Sequence, residues 1–238
     1  MTLESSDCSC ENTFTEVFSA VFALCVAAWA DCARFVAPVI VDQIENILRY
    51  DMSQTPFSLH GVEIRQRIKY PLSDGRCVNV SFTIDRLDSR KDENGNTAVR
   101  IVDYKTGSVH LEADSAESVF NGDYRASNIL QLLFYATMLE RYCRDHGDTS
   151  ETTAIAGCED SGFRLEIYNV PKILNAPSAA RFPKVNGSVV RSHHELSEYF
   201  NKALDAKLCE ILDPGIPFAP AEKQSGCGYC GFHAMCGR

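Results

Sequence analysis

Apolar residues recur along this chain with two different periods, and each period predicts its own kind of secondary structure. Spacings of three and four residues predict helices over 13–33, from Pro38 to about Tyr50, over 127–144 and over 192–212. Alternating or short unbroken apolar runs predict strands over 61–70, 77–87, 98–104 and 163–170. This order of elements predicts an α/β protein whose mixed central β-sheet is flanked by helices.

Turn sequences join the first three predicted strands. The segment Ser73-Asp-Gly-Arg76 is typical of a hairpin, because Asp-Gly tolerates the positive backbone angles of tight hairpin turns. A polar loop over 89–97, with Asn94-Gly95 at its tip, leads to the third strand. Strand 98–104 is the most continuously apolar, so we expect it near the centre of the sheet.

Local sequence patterns predict the last strand and the start of the last helix. Phe163, Leu165 and Ile167 are apolar at alternate positions and predict another strand. Ser192 or His193 is placed to cap the final helix, with Glu195 placed for a capping box. We expect the pair His193-His194 to lie on the surface at the start of that helix.

Charge and composition narrow the possible functions. The 238 residues are 45% hydrophobic, which is enough for a substantial core, and carry a net charge of −9. Such a charge gives no general attraction to nucleic acid, so DNA binding requires a local basic groove and a bound cation. Arg65, Arg67 and Lys69 could line such a groove, or they could form an ordinary solvated strand face.

Targeting signals are not evident in the sequence. Residues 1–12 are acidic rather than basic, and the longest apolar run, Ala20–Ala30, is too short to cross a bilayer. With eleven cysteines and no signal peptide, we expect a reducing intracellular location, the cytoplasm, with no membrane association.

Two carboxylates and a lysine mark the candidate site. Asp85 and Asp103 each follow an apolar-x-apolar pattern in neighbouring predicted strands, and Lys105 shares a strand face with Asp103. Carboxylate oxygens and the main-chain carbonyl of Tyr104 suit Mg²⁺ or Mn²⁺. With a lysine beside it, such a cation can activate water against a phosphodiester. The alternative is that these residues are solvated charges that pair weakly at the surface.

Three further motifs stand out: Ile84-Asp85-Arg86-Leu-Asp88, Ile101-Val-Asp103-Tyr-Lys105-Thr-Gly107 and Gln131-Leu-Leu-Phe-Tyr135-Ala. Together they resemble the PD-(D/E)XK nuclease superfamily, and within it the RecB/AddB-like nuclease domain. The segments Ile47-Leu-Arg-Tyr-Asp51 with Pro56-Phe57, and Ile211-Leu-Asp-Pro with Pro217-Phe218, resemble AddB-like proteins of Bacteroides-type bacteria in particular. The resemblance covers roughly residues 36–238. It implies a restriction-endonuclease-like fold and metal-dependent cleavage of DNA in recombinational repair, together with a helicase–nuclease partner subunit.

The resemblance also assigns roles to residues. It matches Asp85 and Asp103 to the metal-binding acids, Lys105 to the catalytic lysine and Gln131 to the helix glutamine of the motif. Glu63 is a further candidate acid or an exposed strand carboxylate. The implied organisation is a disordered leader (1–12), N-terminal helices (13–55), a nuclease core (56–212) and a cysteine-motif tail (213–238).

Two features of the family pattern are absent from this sequence. No histidine precedes His60, whereas this branch carries one on an early helix, and no Cys-Pro pair supplies a first cluster cysteine. The chain could therefore be the C-terminal part of a larger protein or a truncated reading frame. An impaired nuclease-like domain that binds DNA or a partner, and a metal-binding fragment without a DNA role, remain alternatives.

The C-terminal cysteines form the last candidate site. Cys227, Cys230 and Cys236 have the spacing of a 4Fe–4S motif. The fourth ligand would come from the N-terminal cysteines, which are Cys8, Cys10, Cys25 and Cys32. A zinc site completed by His233 and an empty motif are the other interpretations.

Overall fold

The computed structural model describes residues 2–3, 33–120, 126–146, 162–174, 182–219, 227–228 and 230–237. A five-stranded sheet forms its centre, with strand order β1-β2-β3-β4-β6. These strands are β1 (Thr2–Leu3), β2 (Phe57–Pro71), β3 (Cys77–Lys91), β4 (Thr97–Lys105) and β6 (Arg164–Asn169). The first four pair antiparallel in sequence order, and β6 pairs parallel to β4, so the sheet is mixed as predicted.

Hairpin turns set the register of the long strands. Leu72 N–H donates to the carbonyl of Arg76 at 2.8 Å, and Gly75 adopts a φ of 87° that favours glycine. The second turn is tighter than the predicted loop, because β3 continues to Lys91. As predicted, β4 lies inside the sheet, between β3 and β6.

Helices cover both faces of this sheet. They are α1 (Ala33–Ser53), α2 (Ser127–His146) and α3 (His194–Ile211). The helix α1 begins five residues before Pro38, so this proline lies within the helix and not near its first turn. The helix predicted over 13–33 lies, except for Ala33, outside the described residues. So does most of the leader predicted to be disordered, although Thr2–Leu3 form the edge strand β1.

Two apolar clusters form the core, one on each side of the sheet. The larger packs α2 and α3 against the sheet through side chains such as Ile84, Ile101 and Leu132. The smaller lies on the α1 side and contains Tyr50, Val102, Tyr168 and Ile173. The predicted strand β6 is present, and because helices cover both sides of the sheet it buries Glu166 and Tyr168 as well as Leu165 and Ile167.

Short elements complete the described chain. A small second sheet has strand order β5-β7-β8, made of Glu112–Ala113, Lys184–Val185 and Ser188–Val189. Single 3₁₀ turns lie at Glu117–Val119 and Val170–Lys172. None of the helices in the described part of the chain has the length and apolar character of a membrane span.

Candidate functional site

The two predicted acids meet where β3 and β4 separate. The last ladder pair joins Arg86 to Val102, so the next residues along the two strands are Asp85 and Asp103. Beyond this point, the backbone N–H of Tyr104 donates to Asp85 Oδ2 at 2.9 Å. In a regular antiparallel ladder a backbone carbonyl of the neighbouring strand would accept from this N–H. Here the Asp85 carboxylate accepts instead, and the bond holds Asp85 against β4.

Asp103 is a buried carboxylate that is poorly satisfied. Asp103 is 2% exposed, and its Oδ2 atom has no hydrogen bond within the described part of the chain. Lys105 Nζ lies 2.7 Å from that oxygen and forms an ion pair with it. Burial raises the pKa of the Asp103 carboxyl; Lys105 lowers it, and the charge of Asp85 raises it further. The alternative of two solvated surface charges is therefore wrong for Asp103.

Lys105 is held by helix α2. Its ammonium donates to Gln131 Oε1 at 2.9 Å, and Gln131 Nε2 donates to the Tyr135 hydroxyl at 2.8 Å. The Lys105 side chain remains 26% exposed, so its ammonium reaches solvent while its position is fixed from two sides. The structure thus brings together Asp103, Lys105 and Gln131, residues that lie up to 28 positions apart in sequence.

Glu63 occupies a distorted position at the edge of this arrangement. The pairs Val62–Arg86 and Ile64–Ile84 bracket it opposite Asp85, but Glu63 itself is exposed and has a φ of 50°. Such an angle is strained for a residue with a side chain. Within the described residues, the Glu63 carboxylate forms no hydrogen bond or ion pair.

A buried ion network lies on the other side of the same strands. Asp88 accepts hydrogen bonds from Arg86 Nε at 2.6 Å and from Arg100 Nε and Nη2 at 2.6 and 2.8 Å. Arg100 also donates to Glu166 at 3.1 Å, and Arg86 donates to Asp51 of α1 at 2.6 Å. The four residues Arg86, Asp88, Arg100 and Glu166 are at most 3% exposed.

This network touches the candidate site through Tyr104. Arg86 Nη1 donates to the Tyr104 hydroxyl at 3.2 Å, while the backbone N–H of Tyr104 holds Asp85. The Tyr104 ring also packs edge-on against Tyr168, with ring centroids 5.6 Å apart. Sequence reasoning missed this network, because alternating charges in a strand are also typical of a solvated face.

The histidine pair is not a surface feature, contrary to prediction. His193 is 1% exposed, and its Nδ1 accepts a hydrogen bond from the backbone N–H of Phe163 at 2.9 Å. The carboxylate of Glu140 lies 3.7 Å from His193 Nε2 and 3.1 Å from His194 Nε2. His193 and His194 lower the pKa of the Glu140 carboxyl to about 2. The Glu195 half of the predicted capping box is present, since Glu195 accepts from the Ser192 N–H at 3.0 Å, while Ser192 Oγ accepts from the His194 N–H at 3.3 Å.

Glu140, His193 and His194 could be mistaken for a metal site. In the described part of the chain, they are the one set of three ligating side chains whose ligand atoms lie within 4.8 Å of one another. However, Nδ1 of His193 accepts a hydrogen bond, so the neutral ring carries its proton on Nε2, the atom that faces Glu140. A metal would have to displace that proton. The set is better described as a carboxylate held between two imidazoles.

The three C-terminal cysteines do not form such a set among the described residues. Cys230 and Cys236 are exposed and Cys227 is half-buried, within a chain of tight turns. A 4Fe–4S cluster requires four thiolates, and the N-terminal candidates for the fourth lie outside the described residues. The described residues by themselves therefore do not form a cluster site.

Comparison with known proteins adds an independent observation. Residues 3–237 match the sequence profile of the PD-(D/E)XK nuclease superfamily. Over 94 residues the chain is 35% identical to one of the subunits of the ATP-dependent helicase/deoxyribonuclease of Carboxydothermus hydrogenoformans. That match covers 37% of this chain and 8% of the relative, so the chain corresponds to a small part of that protein. Because the profile extends over nearly the whole sequence, this chain belongs to the PD-(D/E)XK nuclease superfamily.

Proposed function

We propose that this chain is a metal-dependent deoxyribonuclease domain. In this proposal Asp85, Asp103 and the main-chain carbonyl of Tyr104 are the ligands of Mg²⁺ or Mn²⁺, and Lys105 assists the cleavage of a phosphodiester bond. Gln131 positions Lys105, and Glu63 is a candidate for an additional acid. Membership of a nuclease superfamily supports the reaction class.

One observation carries the proposal more than any other. Asp103 Oδ2 is buried without a hydrogen bond, next to a second carboxylate and 2.7 Å from an ammonium. Burial and the neighbouring Asp85 raise the pKa of the Asp103 carboxyl, and carboxyls perturbed in this way are frequent at functional sites. A hard divalent cation satisfies this donor set, since it prefers carboxylate and carbonyl oxygens.

The residues divide the chemistry between them. A divalent cation supplies Lewis acidity, which polarises a phosphate oxygen and lowers the pKa of water. Asp85, fixed by the Tyr104 N–H at 2.9 Å, and Asp103, fixed within β4, would hold that cation. Lys105 presents a positive charge toward solvent, where it stabilises the negative charge that develops on the phosphate.

The larger assembly is part of the proposal as well. The 35% identity to part of a helicase/deoxyribonuclease supports a role beside a helicase partner in recombinational DNA repair. In that setting the tail cysteines Cys227, Cys230 and Cys236 would hold a 4Fe–4S cluster only with a fourth ligand from elsewhere, and we assign no step to it.

Cleavage of labelled single- and double-stranded DNA, with Mg²⁺, Mn²⁺ or EDTA, tests this function. We expect cutting that requires the cation and is abolished by Asp103→Ala and by Lys105→Ala. Matched controls are Asp145→Ala and Lys207→Ala, which remove the same groups from exposed positions on α2 and α3.

Each outcome has a defined meaning. DNA cleavage that persists in the Asp103→Ala and Lys105→Ala variants would contradict the assignment of these residues to the active site. DNA binding in EDTA without cleavage under either metal would instead favour an impaired nuclease-like domain that binds DNA. An unchanged mobility of DNA at low salt would point to a metal-binding fragment without a DNA role.

A further inference from the structure

The long hairpin of β2 and β3 carries a row of exposed cations. Arg65, Arg67 and Lys69 alternate along β2 and are all exposed, whereas Ile68 and Tyr70 between and beside them are buried. Alternate residues of a strand lie on one face, about 6.8 Å apart, so the row extends over about 14 Å. We call these three residues the basic stripe.

The residues across from the basic stripe are polar and uncharged. Arg65 pairs with Thr83, Arg67 with Ser81 and Lys69 with Asn79. Arg67 Nε donates to Ser81 Oγ at 3.1 Å. The stripe is therefore flanked by hydroxyl and amide groups, which together with Arg and Lys are the side chains that contact phosphate oxygens in nucleic-acid complexes.

These cations also lack the carboxylate partners found elsewhere in this acidic chain. Within the described residues, none of the three forms an ion pair. By contrast, an acidic side chain lies within 4.0 Å of each of nine other described lysines and arginines: Arg49, Arg76, Arg86, Arg90, Arg100, Lys105, Arg144, Lys184 and Lys207. Three neighbouring like charges repel one another, and a polyanion relieves that repulsion.

The basic stripe leads toward the candidate site. Thr83, the partner of Arg65, is two residues from Asp85 along β3. At the other end, Lys69 precedes the hairpin turn by a few residues. The stripe therefore ends across the ladder from a residue close to Asp85 in sequence, on the face of the hairpin opposite to Ile68 and Tyr70.

We propose that the basic stripe binds the phosphodiester backbone of the DNA that this domain cleaves. This inference depends on the proposed function for the identity of its ligand. The net charge of −9 makes binding elsewhere on the surface unfavourable, so the stripe supplies a local, salt-dependent attraction. Backbone contacts carry no base information, so the binding is independent of DNA sequence.

The experiment measures binding without cleavage. The anisotropy of labelled single-stranded and duplex DNA in EDTA is followed as salt increases, for the wild type and for Arg65→Gln/Arg67→Gln/Lys69→Gln. Each lost phosphate contact lowers the slope of log K against log salt by about 0.7 for single strands and about 0.9 for duplex. We expect the triple variant to lose about two to three units of slope, and Arg65→Gln alone about one or slightly less.

A charge-matched control separates the stripe from net charge. Lys172→Gln/Lys202→Gln/Lys207→Gln removes three exposed cations outside the hairpin, and the slope should then stay within about half a unit of the wild type. Equal slopes for the two triple variants, with both folded by circular dichroism, would overturn the assignment of the stripe. DNA binding that depends on the stripe, without metal-dependent cleavage, would support the stripe as a DNA-binding surface and contradict the proposed nuclease function. Metal-dependent cleavage with binding that does not depend on the stripe would support the nuclease function and contradict the role of the stripe.

Discussion

The two sides of strand β4 both bury charge, but they do so in opposite ways. On the α1 side, Asp88 accepts three hydrogen bonds from two arginines, and Arg100 continues to Glu166. On the α2 side, Asp103 has an ion pair with Lys105 but a buried oxygen without a hydrogen bond. Both arrangements keep buried atoms without a hydrogen bond, Arg86 Nη2 and Glu166 Oε1 in the first and Asp103 Oδ2 in the second. They differ in the cation: the arginines of the first are buried, whereas Asp103 pairs with a lysine that reaches solvent.

This difference separates a structural use of buried charge from a functional one. Completed buried pairs give little net stability, yet breaking them leaves an uncompensated charge. A buried carboxylate whose cation partner reaches solvent is accessible to a ligand, and carboxyls with raised pKa values are frequent at functional sites. The comparison therefore supports a site at Asp103 and a scaffold at Asp88.

Replacing Asp88 with Asn should have the largest effect on stability. The change removes the anion shared by Arg86 and Arg100, both almost fully buried, so we expect a loss of about 3–5 kcal/mol in the free energy of unfolding. Urea unfolding of purified protein measures this. A loss below about 1 kcal/mol would mean that the network is not a scaffold.

Replacing Asp103 with Asn should reduce activity and not stability. The variant keeps the shape of the side chain and removes a charge that the buried site holds poorly, so we expect no loss of stability. Metal-dependent cleavage of DNA should fall by at least about 100-fold, the scale for removing one essential electrostatic group. A large destabilisation with proportionate loss of cleavage would place Asp103 in the scaffold instead.

Tyr104→Phe tests whether the two sides communicate. The variant removes the hydroxyl that accepts from Arg86 but keeps the backbone N–H that holds Asp85. We expect a loss of about 1 kcal/mol in unfolding free energy and a reduction of cleavage smaller than about tenfold. Cleavage equal to wild type would show that the network does not position the site, and a collapse like that of Asp103→Asn would give Tyr104 a direct role.

The smallest expected effect is a dependence of stability on pH in metal-free protein. Burial raises the folded pKa of the Asp103 carboxyl above its ordinary value, so the folded state binds this proton more tightly than the unfolded state. The stability of the wild type relative to Asp103→Asn should therefore be highest below the unfolded pKa and fall as pH rises through the folded pKa. Urea titrations of both proteins in EDTA over a range of pH would measure this. A difference in unfolding free energy between the two proteins that does not change with pH would contradict the assigned burial of Asp103.

Sequence patterns located the strands well but misjudged which charges are buried. Strand β4 was predicted within one residue at each end, because its apolar run is continuous. Strand β3 was predicted to end at Leu87, yet it continues to Lys91. The polar residues at the end of β3 resemble a loop in sequence. Asp88 is buried because Arg86 and Arg100, which lies across the ladder, both donate to it.

The sequence alone determined the spacing of Asp103 and Lys105 and the motif around Gln131, because alternation along a strand is a local property. It could not determine that a buried oxygen of Asp103 lacks a hydrogen bond, or that His193 is enclosed. These facts depend on which distant groups are nearby: Gln131 for Lys105, Phe163 for His193 and Glu166 for Arg100. Whether a charge is solvated, paired or left unsatisfied is set by neighbours in space, and only the tertiary structure supplies them.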